Sequence, residues 1–406
     1  FTMQGESLKY HGVRAIHLST EALGINGLHT GDYQPVTPYQ RDWRLMSGLF
    51  RLNYNYKYRY YLTASFRADG SSKFPKSNQW GYFPSVGLSW NVNRENWLKN
   101  SRWLTNLKLR ASYGMTGNNR TSTPYDFYSQ ITTSPGSVNN VDYVFGGSYI
   151  PGYYPSNMAN ERLKWETTAQ YDIGVDFAMF DNRFKLTADV YLKDTEDLLL
   201  NATIPSSSGY TTAMLNIGSI RNKGLELSIE AVPVRTKNFE WDMNFNIAFN
   251  RNTVTALSMD QYSLFSTVSW NTAYSGQNAY VTQIGKPTGL MYGYIYEGTY
   301  KEDEFNSGTN LKRGIPYLEG VGQAAVRPGD PKYRDINGDG VINDSDRTII
   351  GSGQPLHTGG FTNTFWFYGF DLAVFFNWSY GNDILNANKL IFENGRVQSL
   401  NQFKSY

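Results

Sequence analysis

The chain has 406 residues, no cysteine and a formal net charge of +2 at pH 7. These values exclude a disulfide framework and a thiol site, and they give no reason to expect a nucleic-acid partner. No apolar run reaches the roughly 18 residues of a transmembrane helix, so only β-strands could carry this sequence across a membrane. The 16% aromatic content, with 31 Tyr and 10 Trp, is compatible with such strands because these residues favour membrane interfaces.

The first part of the chain alternates between apolar and polar residues in separate segments. Residues 1–42 carry turn residues instead, so we predict that they are mostly loop. Residues 50–56 and 60–66 form a first predicted strand pair, and residues 86–92 and 107–115 form a second pair.

The clearest hairpin covers residues 165–198 and follows a long polar loop over residues 116–164. The apolar face of its first strand consists of alternating residues: Tyr171, Ile173, Val175, Phe177 and Met179. A short turn at residues 181–183 leads into a second alternating strand. Each strand has roughly 11 to 14 residues, which is longer than most soluble strands and long enough to cross a bilayer when tilted.

Two further strand pairs are predicted in the second half. The first lies within residues 225–250, after a loop over residues 199–224. The last pair, residues 361–368 and 370–380, comes after a connection of about a hundred residues and is joined at Gly369. The alternation is lost over residues 382–406.

The loops differ systematically in length, since those within a hairpin are short and those between hairpins are long. Outer-membrane barrels have short periplasmic turns and long extracellular loops, so the sequence predicts an all-β, transmembrane antiparallel β-barrel. Aromatic residues cluster at the short turns, as in an interfacial girdle: Tyr56, Tyr58, Trp97, Trp103, Phe180, Phe184, Phe239, Trp241 and Phe370. Alternation alone also fits a soluble β-sandwich with its apolar face inward.

If the short turns are periplasmic, both ends of the chain lie outside the cell. We therefore expect part of a larger barrel, because a barrel must close on itself in lipid. The predicted organisation runs as follows: an extracellular loop region at 1–42, barrel strands at 43–252, a long extracellular connection at 253–358, a barrel hairpin at 359–381 and an extracellular loop at 382–406.

The long connection contains DINGDGVINDSD at residues 335–346, which matches the calcium loop of an EF-hand or dockerin. The predicted metal ligands are oxygen donors at the loop positions that bind calcium: Asp335, Asn337, Asp339, the carbonyl of Val341, Asn343 and Asp346. Gly340 allows the sharp turn. Asp346 stands where Glu is usual, so weaker Ca²⁺ binding or Mg²⁺ binding is expected.

A structural role is expected for this metal, because a divalent ion would stiffen a connection that is too long to order itself at little entropic cost. The alternative is a turn rich in Asp, Asn and Gly that satisfies itself through Asx hydrogen bonds without metal.

Candidate ligand contacts are aromatic residues in the predicted outer loops: Tyr125, Tyr128, Tyr143, Tyr149, Tyr153, Tyr154, Trp270 and Tyr274. Sugars stack on such rings and peptides also bind them, although the rings could equally serve to pack the loops. The sequence predicts no enzyme, since it has no nucleophile elbow, phosphate-binding loop or dinucleotide motif, and its four His residues lack metal-ligand spacing.

Several blocks resemble the SusC/RagA-type TonB-dependent outer-membrane transporters of Bacteroidetes. They occur in the order of that family: RYYLTASFRADGSSKF at 59–74, WGYFPSVGLSW at 80–90, LKLRASYGMTGN at 107–118, the hairpin at 165–198, NIGSIRNKGLEL at 216–227 and GDPKYRDINGDGVINDSDRTIIG at 329–351.

The resemblance implies a plugged barrel of about 22 strands in the bacterial outer membrane, of which the plug, the TonB box and the final strands are not seen here. It also implies TonB-dependent import of oligosaccharides or oligopeptides, with a SusD-like surface lipoprotein as partner. Energy would come from TonB, ExbB and ExbD through an N-terminal part of the transporter. The alternative from another class is a soluble secreted calcium-binding β-protein, such as a carbohydrate-binding module.

Overall fold

The computed structural model describes the chain except for residues 35, 37–38, 134–142, 151, 211, 258–260, 270–274, 307–309 and 393–406. Within the described residues, eleven strands form one sheet whose strand order follows the chain. These are β1 (Thr2–Tyr10), β2 (Tyr39–Tyr56), β3 (Tyr60–Ser71), β4 (Trp80–Asn91), β5 (Leu104–Asn118), β6 (Glu166–Met179), β7 (Phe184–Glu196), β8 (Ser219–Arg235), β9 (Phe239–Ala256), β10 (His357–Phe367) and β11 (Phe370–Tyr380). The strands reach 18 residues in β2 and β9, which is far above the usual soluble length.

Two compact units divide the chain. The first contains Phe1–Asn100, Lys108–Ile173 and Lys193–Ser219, and the second contains Ser101–Leu107, Gly174–Leu192 and Ile220–Tyr406.

In the first unit, antiparallel register aligns apolar residues across neighbouring strands. Tyr54 lies opposite Leu62, Leu62 opposite Leu88, and Leu88 opposite Ala111, so one face of β2 to β5 is an apolar row. Tyr54 and Leu88 are each 56% exposed, so none of the described residues forms a second layer over this row. A soluble sandwich would bury such residues against an opposing sheet. The exposed rows are the pattern expected of strands whose apolar face meets lipid.

The opposite face of the same strands is polar. The Oγ1 of Thr63 donates to Asn53 at 3.0 Å, and the hydroxyls of Ser65 and Ser85 are 2.7 Å apart. Hydrogen bonds between strands therefore satisfy the side chains of this polar face, whereas apolar side chains pair across the strands on the opposite face.

A small buried core in the first unit joins β4, the loops that follow β3 and β5, and the short strand Thr212–Asn216. It contains the following side chains: Phe74, Phe83, Phe127, Leu163, Trp165 and Met214. The indole of Trp165 donates to the carbonyl of Gln79 at 2.9 Å. At Gly117 an added Cβ would lie 2.0 Å from the ring of Phe83, so the absence of a side chain there allows the ring to pack against the backbone.

In the second unit, the strands β9, β10 and β11 repeat the two-faced pattern. Phe245 lies opposite Phe361, and Phe361 opposite Phe376, on the apolar face. Asn363 lies on the same face but is buried, and its side-chain oxygen accepts a hydrogen bond from the indole of Trp241 at 3.0 Å. A polar group on the apolar face is thus satisfied within the protein.

The connection between β9 and β10 is folded rather than extended. Its strands are short: Ser263–Ser269, Ser275–Gln283, Leu290–Gly293, Tyr296–Thr299, Phe305–Asn306, Asn310–Leu311, Tyr317–Leu318, Pro331–Tyr333, Val341–Ile342 and Thr348–Ser352. Tyr300, Phe305, Leu311 and Val326 form a buried core of its own. The helix α1, Ala387–Phe392, follows β11.

The short turns match the prediction. Between β6 and β7, Phe180, Asp181 and Asn182 all have positive φ, and the N–H of Arg183 donates to the carbonyl of Phe180 at 3.1 Å. Gly369, between β10 and β11, has φ of 86°, a conformation that favours glycine.

Three features differ from the sequence predictions. Residues 1–42 are not mostly loop, since Thr2–Tyr10 pairs with β2 along its whole length. The loop predicted at 199–224 contains a hairpin of Leu199–Thr203 with Thr212–Asn216, and β8 already begins at Ser219. The strands also pass the predicted boundaries, since β2 begins at Tyr39 and β9 ends at Ala256. In each case backbone pairing forms a strand where side-chain alternation is weak. The helices in the described part of the chain are all too short or too polar to span a bilayer.

Candidate functional site

The predicted calcium loop is a series of Asx turns. The carboxylate of Asp335 accepts from the N–H groups of Gly338 at 2.7 Å and Gly340 at 2.8 Å. Asn337 accepts from the N–H of Asp339 at 2.9 Å, and Asp339 accepts from the N–H of Val341 at 2.8 Å. Each side chain therefore fixes the backbone that follows it, and Gly338 and Gly340 supply positive φ at 78° and 85°.

Asp346 closes the loop and is fully buried. Its carboxylate accepts from the N–H groups of Ile336 at 2.8 Å and Asn343 at 2.9 Å, with a longer contact of 3.4 Å to that of Asn337. Burial raises the pKa of this carboxyl, but the backbone donors outweigh burial and hold the pKa below its ordinary value of 3.8. The first and last predicted ligands lie close together, since Asp346 accepts from the N–H of Ile336, the residue that follows Asp335.

A parallel bridge attaches the loop to the rest of the connection. Val341 and Ile342 pair with Tyr317 and Leu318, and the N–H of Glu319 donates to the carbonyl of Ile342 at 3.1 Å. Ile342 is only 1% exposed. Ile342, which lies between two predicted ligands, is thus a buried anchor of the loop.

The donor set fits a hard divalent cation in chemistry, since all six predicted ligands offer oxygen. Each carboxylate oxygen has two lone pairs, and a hydrogen bond from a backbone N–H occupies one of them. Among the described residues, however, no three His, Cys, Asp or Glu side chains converge as a metal cluster. The arrangement therefore agrees with the Asx-turn alternative as well as with a calcium loop whose oxygens adjust on binding.

The structure brings four of the predicted ligand-contact tyrosines into one part of the first unit. The side chain of Asn157, which follows the strand Tyr153–Pro155, donates to the carbonyl of Tyr128 at 2.8 Å. Tyr128 and Tyr153 are 58% and 72% exposed, and Tyr154 is 40% exposed. Tyr125 is half-buried, and its hydroxyl accepts from the N–H of Asp42 at 2.9 Å, which favours a packing role for this ring.

The other four predicted contacts fall partly or wholly outside the described structure. Tyr143 and Tyr149 lie in the paired strands Tyr143–Phe145 and Ser148–Ile150, and their side chains lie outside the described part. Trp270 and Tyr274 lie outside the described residues altogether.

Sequence reasoning missed a row of aromatic rings on the connection, which we call the aromatic strip. It consists of five rings: Phe265, Tyr292, Tyr294, Tyr333 and Tyr296. Phe265 and Tyr292 have ring centroids 5.0 Å apart, Tyr294 and Tyr333 are 5.5 Å apart, and Tyr333 and Tyr296 are 6.0 Å apart. Period-two spacing of Tyr292, Tyr294 and Tyr296 was a signal in the sequence, but the other two rings join only through tertiary pairing.

Charged residues border the aromatic strip in ion pairs. The guanidinium of Arg347 lies over the ring of Tyr294 at 5.1 Å and is 3.2 Å from the carboxylate of Asp344. Arg334 contacts Glu297 at 2.7 Å beside Tyr296 and Tyr333. Each cation is thus matched by an anion.

Comparison with known proteins identifies the family. The family model described as TonB dependent receptor-like, beta-barrel, matches residues 23–388. TonB-dependent receptor P3 of Formosa agariphila is 37% identical over 361 residues, which cover 89% of this chain and 34% of that protein. TonB-dependent receptor SusC of Bacteroides thetaiotaomicron is 32% identical over 324 residues, 79% of this chain and 30% of that protein.

Among solved structures, the RagAB peptide transporter superposes with a TM-score of 0.70 at 24% identity and covers 91% of this chain and 37% of that chain. This likeness supports the fold. The chain belongs to the TonB-dependent receptor β-barrel family and is an outer-membrane β-barrel protein. The fold class and the location predicted from the sequence are thus confirmed. It spans about a third of the length of the curated relatives it matches.

Proposed function

We propose that the transporter containing this chain actively imports oligosaccharides or oligopeptides across the outer membrane, with energy from TonB, ExbB and ExbD. The exposed apolar row through Tyr54 and Leu88 is the observation that carries the membrane part of this proposal, because lipid is the environment that suits it. The similarity to SusC supports the transport part. Large ligands need energy to cross this membrane, and TonB supplies energy from the proton gradient where no ATP is present.

A SusD-like surface lipoprotein is the proposed partner at the outer face, where the long loops would meet it. The similarity to RagAB, which is named as a peptide transporter, and to SusC supports a two-component importer without deciding between peptide and glycan. We also propose that the chain carries no catalytic activity, because the matched relatives are named as receptors and the His residues are dispersed along the sequence.

Uptake measurements test the transport proposal. A strain that lacks the gene for the complete protein should lose uptake of labelled oligosaccharides or labelled peptides, and the wild-type gene should restore it. A protonophore should abolish the restored uptake, because TonB depends on the proton gradient. Unchanged uptake in the deletion strain would instead indicate an adhesive barrel without transport.

Membrane fractionation separates the proposal from a soluble calcium-binding β-protein. We expect the full-length protein in the outer-membrane fraction, with migration in electrophoresis that changes on heating, because folded barrels resist detergent. Recovery of a folded monomer in the soluble fraction would contradict the proposal.

We further propose that residues 335–346 bind Ca²⁺, or Mg²⁺ more weakly, as a structural ion. The nearby carboxylates of Asp335 and Asp346, each held by backbone N–H groups of the loop, support this proposal, because a divalent ion would neutralise them. Asp339 and the carbonyl of Val341 would complete the same face of the loop, with Asn337 and Asn343. No step of transport depends on this ion.

Hydrogen exchange of the full-length transporter tests calcium binding. Addition of a chelator should reduce protection over roughly residues 325–350, and Asp335→Ala combined with Asp339→Ala should have the same effect with calcium present. Asp344→Asn is the matched control, since Asp344 lies in the same loop, is exposed and is not a predicted ligand. Equal protection with and without chelator would favour a metal-free Asx turn.

A further inference from the structure

The aromatic strip presents ring surfaces from neighbouring elements of the connection. Phe265 is 48% exposed and Tyr296 is 60% exposed, and these two rings lie at the ends of the strip. Tyr292, Tyr294 and Tyr333 between them are half-buried. The strip thus combines half-buried central rings with accessible outer rings, and aromatic side chains of this kind commonly line ligand sites.

The order of the rings follows the backbone pairing. Phe265 belongs to the strand Ser263–Ser269, which joins Leu290–Gly293 through one intervening strand of the same small sheet. Tyr296 is opposite Tyr333 in the pair of Tyr296–Thr299 with Pro331–Tyr333. Phe265 and Tyr292 form one contacting group with centroids 5.0 Å apart. Tyr333 forms a second group with Tyr294 and Tyr296, and the contacting rings in both groups are tilted against each other by 47–61°.

The charge of the strip is balanced. Arg347 is only 18% exposed and is compensated by Asp344, which is 87% exposed. Arg334 is likewise compensated by Glu297. A charged ligand would therefore meet no uncompensated charge in these two ion pairs, whereas the hydroxyl groups of a neutral ligand can donate to the carboxylates and accept from the guanidinium groups without disturbing them.

From this geometry we infer that the aromatic strip is a binding site for a neutral oligosaccharide, whose sugar rings stack on the exposed aromatic faces. The inference rests on the proposed import function and assigns one of its ligand contacts to the connection. The apolar C–H face of a sugar ring matches an aromatic face, and its equatorial hydroxyls reach the paired charges at the border. Two groups of contacting rings on one connection suit a ligand of several sugar units better than a single compact molecule.

A glycan array tests the inference with the full-length transporter purified in detergent. The array carries neutral, sulfated and uronate-containing oligosaccharides together with short peptides as comparison probes. We expect binding to neutral glycans, and we expect Phe265→Ala combined with Tyr296→Ala to weaken the affinity for the best neutral glycan at least about tenfold in calorimetry. Both side chains are largely exposed, so this variant should fold normally and keep its heat-modifiable migration.

Tyr262→Ala is the matched control, because Tyr262 is 63% exposed in the same connection and lies outside the strip. Its affinity should remain that of the wild type. Glu297→Gln adds a second readout: it leaves Arg334 uncompensated, so sulfated glycans should gain affinity relative to neutral ones. Binding of peptides alone, or equal affinity of the double variant and the wild type, would overturn the inference.

Failure of this site and failure of the transport proposal give different results. If the strip is not the site, uptake in cells persists while the double variant binds glycans normally. If transport is wrong, the wild-type protein binds neutral glycans through the strip but deletion of its gene leaves uptake unchanged.

Discussion

The strands β9 to β11 and the connection between β9 and β10 belong to the same unit, but different interactions stabilise them. In the strands, Phe376 is 58% exposed on an apolar face that the described part of the chain leaves uncovered. In the connection, Phe305 is 8% exposed and Tyr300 is 2% exposed within a closed core. The strands therefore depend on their backbone ladder and on the surrounding lipid, whereas the connection is packed like a small water-soluble domain.

The exposed fraction of an apolar side chain therefore has to be interpreted differently in the strands and in the connection. Tyr300 illustrates the domain-like character: its hydroxyl donates to the carbonyl of Pro316 at 2.6 Å, and burial raises its pKa to about 12. Glu304 and Lys332 form an ion pair beside it. A polar network of this kind needs a fixed surrounding structure, which the connection supplies for itself.

The largest expected effect comes from truncating the same residue type in both regions. Phe305→Ala should destabilise the connection by about 3–5 kcal/mol, because it leaves a cavity in a packed core. Phe376→Ala should cost about 1 kcal/mol or less, since lipid refills the space and no buried cavity forms. Hydrogen exchange of residues 296–333 in the full-length protein measures the first effect, and unfolding in detergent measures the second. Similar losses for the two variants would remove the distinction between the regions.

A second prediction concerns Asp346, the buried carboxylate of the connection. Asp346→Ala should cost about 2 kcal/mol locally, because several backbone N–H groups lose a charged acceptor. Since the folded pKa of Asp346 is lowered, its stabilisation is present above the unfolded value of 3.8 and is lost as pH falls through the folded pKa. Protection of the Ile336 and Asn343 amides should thus be constant from pH 7 to about pH 5 and decline in stronger acid. Loss of protection already at about pH 5 would contradict this account.

The smallest of the three effects is expected in the strands. An added Cβ at Gly359 in β10 would lie 2.2 Å from the ring of Trp378 and 2.6 Å from the carbonyl oxygen of Asn246. Gly359→Ala should therefore cost about 1.5 kcal/mol through local overpacking. Gly48→Ala is the control, because a Cβ added at Gly48 would meet no heavy atom within 4 Å. Heat-modifiable migration at rising temperature compares the two variants, and equal thermal resistance would argue against a tight contact at Gly359.

Most strands of the eleven-stranded sheet were predictable because apolar and polar side chains alternate along them over long stretches. Tyr171, Ile173 and Val175 lie within β6 as expected, and the turn after Met179 forms at the predicted place. β1 was missed because Thr2–Tyr10 mixes polar, small and apolar residues on both faces. Its position is determined by hydrogen bonds to β2, which leave no trace in side-chain periodicity.

The candidate sites were predictable only where they are local in sequence. The Asx turns of residues 335–346 follow from their Asp, Asn and Gly spacing. The aromatic strip joins Phe265 to Tyr292 and Tyr333 to Tyr294 across 27 and 39 positions of the chain. Such encounters depend on how the small sheets of the connection pair, and composition and spacing do not contain that information.

The folded connection also affects how quickly the sheet can assemble. β10 must find β9 across a hundred intervening residues, and a flexible loop of that length makes the search slow. Leu290 lies opposite Ser352, and the N–H of Gly285 donates to the carbonyl of Val254 at 2.8 Å, so the connection holds its own two ends together. If the connection folds first, the pairing of β10 with β9 resembles the closure of an ordinary hairpin. The other strands of the sheet can then add one at a time, because each pairs with its neighbour in the chain.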